Sequence, residues 1–108
     1  MSNAAHPGFT QTNLQTAGAS LGRDTTHRSP IGSLPFVPSQ LPPEGAEPML
    51  FAAADPLAAE GGYYGPSGRF GLVGPTGPAK LNRRMRDDDT TARLWAVSQD
   101  LTGTALPA

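Results

Sequence analysis

At 108 residues and a net charge of −1, the chain is long enough for one small domain and too close to neutral for a nucleic-acid binder, which needs a strong basic excess. It contains no cysteine, which excludes a disulfide framework, a thiolate nucleophile and a cysteine-based zinc site. Leu, Ile, Val and Phe supply only 19 of the 108 residues while Gly and Pro supply 25, so core material is thin and the composition borders on that of disordered chains.

Residues 1–14, "MSNAAHPGFTQTNL", carry a His-Pro-Gly turn and then a polar stretch suited to opening a helix. The start has neither a basic segment nor an apolar run of the secretory kind, and no stretch approaches the roughly 18 apolar residues of a membrane span. The expectation is a soluble, cytoplasmic chain with no membrane partner. Residues 15–41 are rich in Ser, Thr, Gly and Pro and hold no period, so they read as a long loop.

Residues 42–60 read as a helix, with Pro42 and Pro43 tolerated in its first turn. Ala46, Met49, Leu50, Ala53 and Leu57 recur on one face at helical spacing. Pro48 predicts a kink or a late start, and Pro56 the end. In the 61–86 region, "GGYYG" predicts a short strand around Tyr63 and Tyr64. From there Gly65, Gly68, Gly71, Gly74 and Gly77 keep a spacing of three, the collagen register. The period stops after five triplets and neither flank continues it, so a loop leaving the strand is expected instead.

"KLNRRMRDDD" sets Lys80, Arg83, Arg84 and Arg86 beside three aspartates that cancel them, a solvated face leading into a helix start. That last helix spans 87–103: Asp87 to Asp89 favour its N-terminus and Gly103 suits its C-terminal stop. Leu94, Val97 and Leu101 form a stripe with Trp95 beside it, which needs a partner surface to bury it.

Three blocks carry a resemblance. "AAHPGFTQTNL" resembles the end of the sixth strand and the following loop of short-chain dehydrogenases/reductases, whose Pro-Gly-x-x-x-Thr matches Pro7, Gly8 and Thr12. "PPEGAEPMLFAAADPLAAEGGYYGPSGRFGLVGPTGPAKL" resembles the helix, last strand and loop of the retinol-dehydrogenase-like branch, and "TARLWAVSQDLTG" its C-terminal helix. The blocks fall in the family's order and cover nearly the whole chain, with 15–41 the least clear.

The resemblance implies an α/β fold, the C-terminal portion of a Rossmann-type doubly wound domain with two helices, a short strand and long loops. Such a portion is expected to be incomplete and partly disordered alone, with Met1 falling inside the sixth strand. It implies an NAD(P)-dependent oxidoreductase lineage acting on an alcohol/carbonyl pair. The turn residues Pro7, Gly8, Phe9, Thr10 and Thr12 would border the nicotinamide end of the cofactor. Leu14, Leu21, Ile31, Leu34 and Phe36 would line an apolar substrate pocket in an intact homologue.

The family's chemistry is missing from this sequence. Its catalytic Tyr-x-x-x-Lys has no counterpart, because Ser67 and Gly68 stand four residues after Tyr63 and Tyr64, and Lys80 is the only lysine. "GASLGRD" imitates the dinucleotide fingerprint through Gly18 and Gly22, but Asp24 stands where a third glycine belongs and would repel pyrophosphate. His6 reads as part of its turn and His27 as solvated, neither with the neighbours of a metal site. No catalytic residue, metal ligand or binding of NAD(P) by this chain alone is therefore expected. The competing expectations are a non-catalytic protein that docks on a partner through its helix faces, a non-functional truncated product, and a Gly/Pro-rich chain without a fixed fold.

Overall fold

Short extended segments, each cut off by proline or glycine, limit the sheet to strands of a few residues. The computed structural model of the chain describes residues 2–14, 17, 22 and 36–105. Among these, strand β1 is Ala4–Ala5, helix α1 is Pro42–Ala54, β2 is Tyr63–Pro66, β3 is Thr76–Pro78 and helix α2 is Asp88–Thr102. Turns of 3-10 helix lie at Arg69–Gly71 and Arg83–Arg86. The described architecture is thus α/β: two helices and a three-stranded mixed sheet in the order β1-β2-β3.

β1 pairs in parallel with β2, Ala4 opposite Tyr63 and Ala5 opposite Tyr64. Parallel neighbours need a long crossover, and α1 lies within it, in contact with all three strands. Asn3 ties the layers together: its amide donates to the Ala52 carbonyl of α1 at 2.8 Å and its Oδ1 accepts from Gly62 N–H at 3.1 Å. β2 and β3 form an antiparallel hairpin that pairs Gly65 with Gly77 and Pro66 with Thr76. The glycine triplets are therefore not a simple loop. Gly65 and Gly77 are strand partners, and the intervening glycines belong to the connection. A Cβ at Gly65 would overlap the His6 ring, so this strand position must stay bare for the imidazole to lie over it.

α1 departs from the sequence expectation in three respects. It starts at Pro42 with Pro48 inside it, so the start is not late; it ends at Ala54, short of Glu60 and just before Pro56, the residue expected to stop it. Its start is held by Glu44, whose carboxylate accepts the Leu41 N–H at 2.8 Å. Its buried face is Gly45, Pro48 and Ala52, while Met49, Leu50 and Leu57 are exposed. The reason is steric. A helix that lies close on a small sheet needs small residues where the backbones approach, and a Cβ at Gly45 would strike the Thr10 side chain. Tyr64 fills the remaining space, with its ring tilted 4.8 Å from that of Phe51 and its hydroxyl accepting the Ala59 N–H at 2.7 Å.

α2 forms as its local signals predict. Asp87 caps it, Asp88 and Asp89 occupy its first turn, and Gly103 ends it at φ 63°. It has contacts with the 3-10 turn that precedes it, and no residue of it is buried. Leu94, Trp95, Val97 and Leu101 remain exposed. No helix among the described residues is long and apolar enough to cross a membrane.

Candidate functional site

The Pro7–Thr10 turn begins where β1 ends, and parallel pairing places it at the carboxyl end of that strand. Gly8 takes φ 64°, a conformation that glycine reaches without strain. A Cβ there would also collide with the Leu72 carbonyl and the Pro66 ring, so the turn lies tight against the hairpin connection. Gly8 N–H donates to His6 Nδ1 at 3.2 Å, and Phe9 N–H to the Leu72 carbonyl at 2.8 Å. The Thr10 hydroxyl folds back onto the Pro7 carbonyl at 2.8 Å.

Gln40 locks this turn from the other side and is only 6% exposed. Its N–H donates to the Phe9 carbonyl at 3.0 Å and its carbonyl accepts from Gln11 N–H at 2.9 Å. Its side-chain amide donates to the Pro7 carbonyl at 2.9 Å and accepts from Gly74 N–H at 3.2 Å. Each backbone and side-chain nitrogen and oxygen of Gln40 thus has a partner, as burial requires. Nothing in the sequence marks this residue, since a glutamine before "LPPE" carries no signal of its partners.

The sequence-predicted residues separate into two sets. Pro7, Gly8, Phe9 and Thr10 come together, half-buried, in one turn. Thr12 and Leu14 lie beyond it and are exposed; the Thr12 hydroxyl accepts the Leu14 N–H at 3.4 Å, and Ala17 N–H closes a turn on the Asn13 carbonyl at 2.7 Å. That is a helix-cap arrangement, with the hydroxyl hydrogen still available to donate. Leu14 and Phe36 are 73% and 87% exposed. Leu21, Ile31, Leu34 and His27 lie outside the described residues, as does the "GASLGRD" stretch apart from Gly22.

The turn fits the nicotinamide end of NAD(P) only in part. The Gly8 and Phe9 N–H groups and the Thr10 hydroxyl, natural partners for a carboxamide, are already bonded within the chain. Thr12 alone among the five presents an exposed hydroxyl.

A cleft of about 510 Å³ adjoins the turn, bounded by His6, Pro66, Ser67, Phe70, Pro78 and Lys80. Among the described residues no three His, Asp or Glu side chains group to hold a metal ion. Comparisons of the chain with protein-family models, with curated proteins and with solved structures return no match.

Proposed function

We propose that the chain is the C-terminal part of a short-chain dehydrogenase/reductase of the retinol-dehydrogenase-like branch, in a Rossmann-type fold. In that assembly it contributes the cofactor-side turn, Pro7 to Thr12, to an NAD(P)-dependent oxidoreductase of an alcohol/carbonyl pair. The observation that carries this reading is the parallel pairing of β1 with β2 around α1. It sets the Pro-Gly turn at the carboxyl end of a parallel strand, where open α/β sheets hold their ligands. When bound, the nicotinamide supplies the hydride chemistry. This chain's own residues shape a turn and offer the Thr12 hydroxyl; its sequence holds no Tyr-x-x-x-Lys, and the turn's other donors are spent internally.

The reading therefore has two tests. Titration of the purified chain with NADPH, followed by nucleotide fluorescence, is expected to give no saturable binding in the micromolar range; saturation there would refute the inertness of the chain alone. Sequencing the coding DNA upstream of Met1 is expected to reveal a Tyr-x-x-x-Lys, in frame or shifted, and its absence would refute the lineage.

The exposed stripe of α2 favours a second reading, a non-catalytic subunit that docks on an intact homologous enzyme. In that case Trp95 fluorescence shifts to the blue when such an enzyme is added, and an unchanged spectrum eliminates it.

A further inference from the structure

The cleft at the carboxyl ends of β1 and β2 combines features that the dehydrogenase reading does not use. Its volume of about 510 Å³ lies within the range of small-molecule sites. No carboxylate lines it, whereas His6 and Lys80 both do. Because His6 Nδ1 accepts the Gly8 N–H, the hydrogen of the neutral ring sits on Nε2. Neither Nε2 nor the Lys80 ammonium has a hydrogen-bonding or ionic partner among the described residues.

Phe70 is the second feature. It stands at φ 57°, ψ 13°, alone among the described non-glycine residues in having a positive φ. A side chain resists this left-handed conformation, and a ring that is 80% exposed recovers nothing by burial. Glycine occupies positions 68 and 71 on either side, so the strained position is the one that bears an aromatic ring. Backbone outliers of this kind gather at ligand sites. The Arg69 guanidinium stands 5.9 Å from the ring centroid and adds to the positive field.

We propose that this cleft binds a small aromatic carboxylate. The carboxylate sits between the Lys80 ammonium and His6 Nε2–H, and the ring packs on Phe70 and on the prolines at 66 and 78. An inorganic anion would satisfy the two donors but leave the aromatic wall in water. A neutral aromatic would cover the wall and leave the ammonium without a counter-charge. The site is composed entirely of this chain's residues and stands or falls independently of the dehydrogenase reading.

The test is a titration of the full 108-residue chain with naphthoate, followed by proton NMR of the imidazole signals. There are two histidines, so His27→Gln assigns the His6 resonance. Naphthoate is expected to shift that resonance saturably with a dissociation constant at or below about 1 mM, and naphthamide and inorganic phosphate to bind at least about tenfold more weakly. Lys80→Gln should weaken binding about tenfold. His6→Asn retains an acceptor for Gly8 N–H, lacks the Nε2 donor, and should weaken binding as well. Phe70→Gly should weaken binding while raising the melting temperature, since glycine adopts this φ freely. That opposition of affinity and stability is what a purely structural Phe70 would not produce. Absence of a His6 shift at about 20 mM naphthoate, equal affinity for phosphate or naphthamide, or unchanged binding by Phe70→Gly would each overturn the proposal.

Discussion

Two residues of the β2–β3 hairpin are held in positions that cost stability. Phe70 adopts a left-handed backbone conformation with its ring in solvent. Replacement by glycine is expected to stabilise the chain by about 1 kcal/mol, read as a higher denaturant midpoint at unchanged slope. Thr76 Oγ1 is buried and lacks a hydrogen-bond partner among the described residues. Thr76→Val removes the orphaned hydroxyl at nearly constant shape, and a gain of about 1 kcal/mol is expected in the same measurement. A loss in either case would show that the native residue makes a compensating contact. Nothing in the sequence marks Phe70 as strained, since the glycine spacing of three runs through it unbroken. Gln40 stays hidden, because the three segments it joins meet only in the folded chain.

At the scale of elements, legibility follows the range of the forces. α2 can be read almost to the residue, since caps and first-turn charges act within a few positions. α1 can be recognised as a helix, but its inward face cannot. Ranking residues by hydrophobicity selects Met49, Leu50 and Leu57, while the sheet accepts Gly45, Pro48 and Ala52, where bulk is least. Gly45→Ala should therefore destabilise the chain by about 1–3 kcal/mol, although alanine is the better helix former, because its Cβ meets the Thr10 side chain. A neutral or stabilising result in thermal melting would rule out close contact at this point.

α2 also carries a pH dependence. The Asp87 carboxylate accepts the Thr90 N–H at 3.0 Å and the Thr90 hydroxyl at 2.9 Å, which together hold its pKa below the ordinary 3.8. A folded-state pKa below the unfolded one means that the stabilisation is complete above pH 3.8 and is lost as the pH falls through the lower, folded value. Helical circular dichroism should stay level from neutrality to about pH 4 and then decline. In Asp87→Asn, which keeps the cap without the charge, that decline should be smaller; an identical acid profile would refute the role of Asp87.

Over the whole molecule, the parallel pair β1–β2 decides the architecture, and it is the feature least accessible from local sequence. Two alanines carry no strand signal of their own, and the resemblance, not the pattern, suggested a strand there. The hairpin closes over a short span, with Ser67 and Pro75 eight positions apart, whereas Asn3 and Gly62 meet across 59. Loop closure makes the longer contact about 1.8 kcal/mol more costly in chain entropy. Amide hydrogen exchange should accordingly release Ala4 and His6, bonded to Gly62 and Tyr64, before Ala79, bonded to Tyr63. Simultaneous release would mean that the sheet opens as one unit.

The same separation has a consequence during biosynthesis. β1 leaves the ribosome first, but the strand it pairs with lies some 60 residues behind it, roughly 3–12 s of translation. During that interval the imidazole of His6 has no Gly65 to rest on and the backbone of β1 lacks its pairing with β2. Of the three described strands β1 is made before the partner it needs, and a nascent chain stalled before Tyr63 would present it to whatever binds extended peptide.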